Sequence, residues 1–296
     1  MLNLDFAFFN LIEQDRQGLI YRKYFLDRLA PLLFTPRIQR LIEIPGLGAG
    51  CNIHLPLGGG NFINMHEEVQ EQMLDRTGDI LQELNLSKLA VDRRLQRNIR
   101  PWSKQLSLLF GDQFIKALAY TFIKESIDRT AVRKIILTGE MAGAEDLLET
   151  AATFRVPISI QTDVPANYEL MTYRLLYEKG CAISNSFIKP HEWKHGDVVI
   201  AFDGLSSRFS MAAPGICYRF LTCETQNLAP ELEAHLSRGG INPQLGTLAP
   251  ILESCLLPAG EMLSNSEQQK ENSHKFLDLQ KHGQQIGLWD HFLDKA

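Results

Sequence analysis

The chain has 296 residues, 45% hydrophobic and 22% charged, with a formal net charge of -5. That length accommodates two domains or one large one, and an acidic balance with scattered lysines and arginines speaks against a nucleic-acid surface. No apolar run approaches the roughly 20 residues of a bilayer span, and the five cysteines (Cys51, Cys181, Cys217, Cys223, Cys255) form no Cys-x-x-Cys pair, which fits reduced thiols in a cytoplasmic protein better than disulfides or a zinc site.

Met1 to Phe9 lacks a basic leading segment and reads as a strand or core segment rather than a signal peptide. Tyr24 to Ile44 carries apolar residues at helical spacing, interrupted by Pro31 and Pro36, and predicts two short helices. Gly46, Gly48 and Gly50 read as a turn, because a phosphate loop needs a helix after it and the pattern supplies none. Cys51 to Leu57 predicts a strand ended by Gly58, Gly59 and Gly60. Three glycines let a backbone come close to a ligand, or simply loosen a strand end. With Asn61 they form the candidate substrate-binding segment.

Met65 to Leu84 predicts an amphipathic helix with a solvated acidic face, and Ser103 to Asp128 a second long helix striped by Leu106, Leu109, Phe110, Phe114, Leu118 and Phe122. Lys134 to Gly139 then predicts a buried strand, Gly139 and Gly143 a turn, Gly143 to Phe154 a helix, and Val156 to Asp163 a second strand. Strand, glycine turn, helix and a strand ending in an acid make the βαβ unit that sets a phosphate on a helix N-terminus. The rhythm continues with a helix over Asn167 to Lys179, a strand over Cys181 to Ser186, and a strand from Asp197 to Asp203 ending at Gly204. Gly215 to Leu221 predicts one more strand, residues 223–246 loops, Thr247 to Leu257 a buried helix containing Glu253, and Ser264 to Lys275 an exposed connection. A last helix leads to the apolar patch Ile286, Leu288, Trp289, Phe292 and Leu293, which would pack within the chain or against a second copy, leaving a homodimer open. Alternating strands and helices of this kind define an α/β protein with a mostly parallel sheet covered on both faces.

A dinucleotide fingerprint needs glycine for the turn, glycine where the pyrophosphate passes, and a small residue where helix meets strand. Gly139 and Ala144 fit the first and third positions, but Met141 stands at the second, and Glu140 adds a negative charge beside the anion. Read as Thr138-Gly139-x-x-x-Gly143, the turn fits the looser short-chain-dehydrogenase pattern. Asp163 suits a ribose diol and favours NAD over NADP. Phe202, Asp203, Gly204 and Ser206 lie where open parallel sheets bind ligands. The plain alternative is a tight strand-to-helix turn with Asp163 a solvated strand end. Tyr120-x-x-x-Lys124 has the spacing of a short-chain-dehydrogenase Tyr/Lys pair but precedes the glycine turn, so no catalytic residue is assigned. His191-x-x-x-His195 reads as a loop between Pro190 and Gly196, and no metal site is assigned.

Several segments carry a family resemblance: Arg22 to Leu33 with Pro36-Arg-Ile-Gln-Arg40, Leu57-Gly-Gly-Gly-Asn-Phe62, Gly111-Asp112, Ala249 to Leu257, and Lys281-His282-Gly283. In these the chain resembles the aldehyde-forming long-chain acyl-carrier-protein reductases and, more loosely, shikimate-dehydrogenase-like proteins with a Rossmann second domain. The reductases' thioester-forming cysteine falls at Pro250, which cannot act as a nucleophile, and Cys255 lies on another face of the same predicted helix. The resemblance implies a smaller mixed α/β N-terminal domain (1–105), a Rossmann-like nucleotide-binding domain (106–260), and C-terminal helices (261–296) packing back on the first. It implies an NAD(P)-dependent oxidoreductase-like protein acting on a small or acyl-type substrate in an interdomain cleft. The alternative is a catalytically silent, Rossmann-derived protein that binds a small ligand or a regulatory partner, which Glu140, Met141 and Pro250 favour.

Overall fold

The computed structural model describes residues 4–12, 14–44, 46–97, 99, 107–141, 143–203, 214–226, 228–238, 240–257 and 275–293. In chain order the first elements are β1 (Phe6–Ile12), α1 (Lys23–Leu33), β2 (Arg37–Ile44), β3 (Gly48–Gly58), α2 (Gly59–Ile63), α3 (Glu67–Glu83), β4 (Lys88–Val91) and β5 (Ser107–Leu109). Then come α4 (Asp112–Arg129), β6 (Lys134–Thr138), α5 (Glu145–Ala152), β7 (Ile158–Thr162), α6 (Ala166–Lys179), β8 (Ile183–Phe187), β9 (Asp197–Ala201) and β10 (Cys217–Phe220). The chain closes with α7 (Pro230–Arg238), α8 (Leu245–Leu256) and α9 (Lys275–Gln285).

These elements form two units, Met1–Gly111 with Pro230–Glu271, and Asp112–Ala229 with Asn272–Ala296. The boundaries differ from those expected from sequence, because α8 packs on β4, β1 and β5 while α9 packs on α4. The chain thus returns to the first unit after Ala229 and ends on the second.

The N-terminal unit holds a five-stranded sheet of order β2-β3-β1-β4-β5. β1 runs parallel to β3 and β4, β5 is parallel to β4, and β2 is antiparallel to β3. The β1 sequence is an almost unbroken apolar run, as a parallel strand covered on both faces requires, and Phe6, Ala7 and Phe9 are fully buried. Phe9 meets Phe62 edge to face at 6.0 Å, at the heart of a core that includes Leu26, Met73 and Leu81. A second helix was expected between Pro36 and Ile44, but the chain there takes the open edge of β3. The burial of Ile42 and Ile44 against exposed Leu41 and Glu43 is the alternation of an edge strand. The pairing slips at Gln39, a bulge between Ile38 and Arg40.

Three further differences have local causes. The strands β4 and β5 are four and three residues long, too short to leave a period in the sequence. The helix expected from Ser103 starts only at Asp112, after Gly111 at φ +81°, where a Cβ would lie 2.7 Å from Ala249 and Pro250. The region read as loops over 223–246 contains α7, whose buried Leu232 and Leu236 sit four residues apart on one face.

The second unit is a five-stranded, wholly parallel sheet of order β10-β9-β6-β7-β8. This is the strand order of a Rossmann-like fold, in which successive strands step outward on one side and then on the other. The reversal falls between β6 and β9, whose last residues Thr138 and Ala201 face each other in register. α6 stops at Gly180 (φ +68°), a left-handed glycine whose N–H bonds Leu176 O while Cys181 N–H returns to Leu175 O. The apolar C-terminal patch packs within the chain: Trp289 lies 5.5 Å from the Phe114 ring and donates to Gln280 O at 2.8 Å. Among the described residues no helix is long and apolar enough to cross a membrane.

Candidate functional site

The glycine turn follows β6 at the carboxyl edge of the Rossmann-like sheet. Gly139 stands at φ +92°, and a Cβ there would collide with the Asp203 carboxylate. Glu140 N–H donates to Asp203 Oδ2 at 3.3 Å, and Met141 N–H donates to the Tyr168 hydroxyl at 3.1 Å. At Gly143 (φ +58°) the Lys116 ammonium lies 3.1 Å from where a Cβ would stand. Lys116 is nearly buried and binds both Asp146 oxygens, at 2.9 and 3.1 Å. Each glycine of the turn therefore makes room for a side chain of the chain itself.

Electrostatics reinforce the closure. Burial raises the Asp203 carboxyl above its usual range, and the charges of Asp163 and Glu140 push the same way against the Glu140 amide. Tyr168 is raised too, by burial first and by Glu140 and Asp203, with the Met141 amide opposing. A dinucleotide pyrophosphate needs room and open amides at such a turn. The Glu140 and Met141 amides already have acceptors and three carboxylates face the turn, so these residues, as folded, do not fit the cofactor.

The sequence candidates divide accordingly. Gly139, Gly143, Asp203 and, within electrostatic reach, Asp163 come together at the turn. Thr138 is fully buried and its Oγ1 lacks a hydrogen-bond partner, Ala144 is core, and Phe202 is half-buried beyond β9. Gly204 and Ser206 lie outside the described residues. Tyr168 and Lys116 escape sequence reasoning because each reaches the turn from a neighbouring helix, with no motif to mark it.

A second arrangement occupies the carboxyl edge of the N-terminal sheet. A cleft of about 800 Å³ is lined there by Asn10 of β1, His54 and Asn52 of β3, Arg40 of β2, and Asp92 just past β4. Gly59 and Gly60 also line it. Asp15 Oδ1 accepts from the Gly60 and Asn61 amides at 2.8 and 3.1 Å, and a Cβ on Gly58 or Gly60 would collide with Asp15. Asn61 Oδ1 in turn accepts from Arg16 N–H at 2.9 Å, so this segment too is held from within.

The polar groups of the cleft are less completely matched. Arg40 donates through Nη2 to Gly240 O at 2.6 Å, and Asn52, 1% exposed, donates through Nδ2 to Gln39 Oε1 at 3.3 Å. Arg40 Nε, Asn52 Oδ1 and His54 Nδ1 are buried without a well-formed hydrogen bond. Burial, then the charges of Arg37 and Arg16, lowers the His54 pKa against a contact with the Asn10 backbone that raises it, and the ring is neutral at neutral pH. Asp92 is pushed up by burial but held below its usual range overall by Arg94, the Arg94 amide and the Thr247 hydroxyl, which donates at 2.9 Å.

The remaining candidates are structural. Tyr120 stacks on Phe154 at 5.6 Å and meets Phe276 at 6.0 Å. The Cys255 thiol is pushed up to about 12, by burial first and Asp5 second, against Lys88, which leaves no thiolate at neutral pH. None of the five cysteines is in a disulfide; Cys51 is buried and the others are half-buried. Among the described residues no group of three or more His, Cys, Asp or Glu could hold a metal ion.

No family model and no curated protein matches the sequence. Among solved structures, the chain is similar to an L-tryptophan dehydrogenase from Nostoc punctiforme at 10% identity and a TM-score of 0.38, over 80% of this chain and 76% of that one. It is also similar to a shikimate 5-dehydrogenase-like protein at 11% identity and a TM-score of 0.36, over 95% and 98%. A chorismate mutase/shikimate 5-dehydrogenase fusion protein from Clostridium acetobutylicum follows at 9% identity and a TM-score of 0.33, over 98% and 100%. None of these three is an acyl-carrier-protein reductase. Likenesses of this size leave any assignment to the chain's own geometry.

Proposed function

We propose that this chain is a small-molecule-binding protein on a Rossmann-like frame, taking its ligand in the cleft of the N-terminal unit. One observation carries the reading: Arg40 Nε, Asn52 Oδ1 and His54 Nδ1 belong to side chains lining one cleft, and all three lack a well-formed hydrogen bond. Native interiors rarely leave such groups unmatched, at a cost of about 1–3 kcal/mol each. Arg40 calls for an acceptor, Asn52 for a donor, and neutral His54 for either. A small hydroxylated molecule with a carbonyl or carboxylate oxygen satisfies them together, and a cleft of about 800 Å³ is in the range of small-ligand sites.

The test is thermal-shift screening of hydroxylated acids, amides and sugars against the wild type and Asn52→Leu. The expected result is a compound that raises the melting temperature of the wild type alone. A panel in which no compound separates the two proteins contradicts the reading.

A second reading is the NAD(P)-dependent oxidoreductase acting on a small or acyl-type substrate. The observation in its favour is Gly139 at the strand-order reversal, with exposed Asp163 just past the end of β7. It requires saturable nicotinamide-nucleotide binding in the wild type, abolished by Gly139→Arg.

A further inference from the structure

The Rossmann-like unit carries a glycine turn whose spacing invites a dinucleotide and whose interior is already taken. Glycines are placed where a backbone must admit something close, and the identity of that neighbour says what the glycine is for. At Gly139 the neighbour is the Asp203 carboxylate, and at Gly143 it is the Lys116 ammonium. The amide of Glu140, the first N–H past Gly139, is spent on Asp203. The next one, on Met141, is spent on Tyr168.

We propose that this turn is closed to dinucleotides from within, with Asp203 holding the anion's place, and that removing this one carboxylate opens the turn to a pyrophosphate-bearing nucleotide. Asp203 lies just past β9, and Phe202 N–H donates to Thr138 O at 3.0 Å, so the backbone that carries Asp203 is pinned beside the turn it covers. The aspartate is thereby a fixed occupant of the turn. Charge acts in the same direction. A pyrophosphate arriving here meets Asp203 with Glu140 and Asp163 nearby, and each like charge at about 4 Å, even under full aqueous screening, weakens an anion's binding about fivefold. Lys116 does not offset this, because both Asp146 oxygens already hold it. The inference stands apart from the N-terminal cleft and fails or succeeds without it.

Calorimetric titration with ADP-ribose and with NAD tests it on the wild type, Asp203→Asn and Asp203→Gly, each checked for its fold by circular dichroism. Asp203→Gly, which removes both bulk and charge, is expected to bind at least tenfold more tightly than the wild type, with Asp203→Asn between them. Asp203→Asn keeps the side-chain volume and decides the test alone if the glycine variant does not fold: a gain supports the inference, and no gain overturns it. Wild-type protein that binds as tightly as Asp203→Gly overturns it, and so does a folded Asp203→Gly that gains nothing.

Discussion

The two glycine turns of this chain invite the same first reading and are filled by the same device. Asp15 lies over Gly58 and Gly60 in the N-terminal unit, and Asp203 lies over Gly139 in the Rossmann-like unit. Each carboxylate accepts a backbone amide of its turn. What surrounds the two aspartates differs. Beside Asp15 a cleft gathers buried donors and acceptors without a well-formed hydrogen bond, while around Asp203 stand further carboxylates and amides already matched, and the unmatched atoms there, Asp203 Oδ1 and Thr138 Oγ1, belong to the turn's own filling. Glycine spacing reports only that something approaches closely. Whether that something is a ligand or a side chain is decided by residues far away in sequence.

The strongest way to break the second turn is Asp146→Ala, which strands the Lys116 ammonium, 6% exposed, without its partner. Losing one member of a buried pair costs about 3–5 kcal/mol, to be read by urea denaturation, with Lys116→Met in the same background restoring part of it. Gly139→Ala comes next, at about 2–3 kcal/mol, because it combines a left-handed backbone with a collision against Asp203. Gly60→Ala in the first turn is expected to cost less, about 1–2 kcal/mol, since Asp15 is exposed and can swing away at the loss of its hydrogen bonds. Gly59→Ala has nothing within 4 Å and no positive φ, so a change within about 1 kcal/mol of zero, on the stabilising side, is expected.

The smallest effect is in the pH dependence. The folded value of Asp203 is raised, so the folded state binds that proton more tightly than the unfolded chain. The stability this provides is complete below about pH 4, near the unfolded aspartate value, and is lost as pH rises through the raised value. Asp203→Asn removes the loss. It should therefore melt above the wild type at pH 7, with the difference closing toward pH 4. A gap that stays constant across that range would show that burial and the charges of Asp163 and Glu140 do not raise the Asp203 carboxyl.

Much of the second sheet was legible in the sequence because its strands are apolar runs such as Lys134 to Thr138 and Asp197 to Ala201, separated by helices of ordinary length. The region before Asp112 was less so. β2 is an edge strand whose apolar residues mimic helical spacing, and β4 and β5 are too short to show a period. The candidate sites were legible only as glycines and strand ends. Arg40, Asn52 and His54 meet because β2 and β3 pair in antiparallel register, with Arg40 opposite Asn52 and Arg37 opposite His54, a contact no local pattern announces. Asp203 was recognised as a residue at the ligand edge. That it covers Gly139 depends on β6 and β9 being neighbours, which is topology rather than motif.

The most direct measurement is calorimetric titration of the wild-type chain with NAD+, NADH, NADP+ and NADPH, alongside Gly139→Arg. A turn filled by Asp203 predicts no saturable binding of any of the four at millimolar concentration. Micromolar binding of one of them, lost in Gly139→Arg, would contradict the account and establish the oxidoreductase reading in its place.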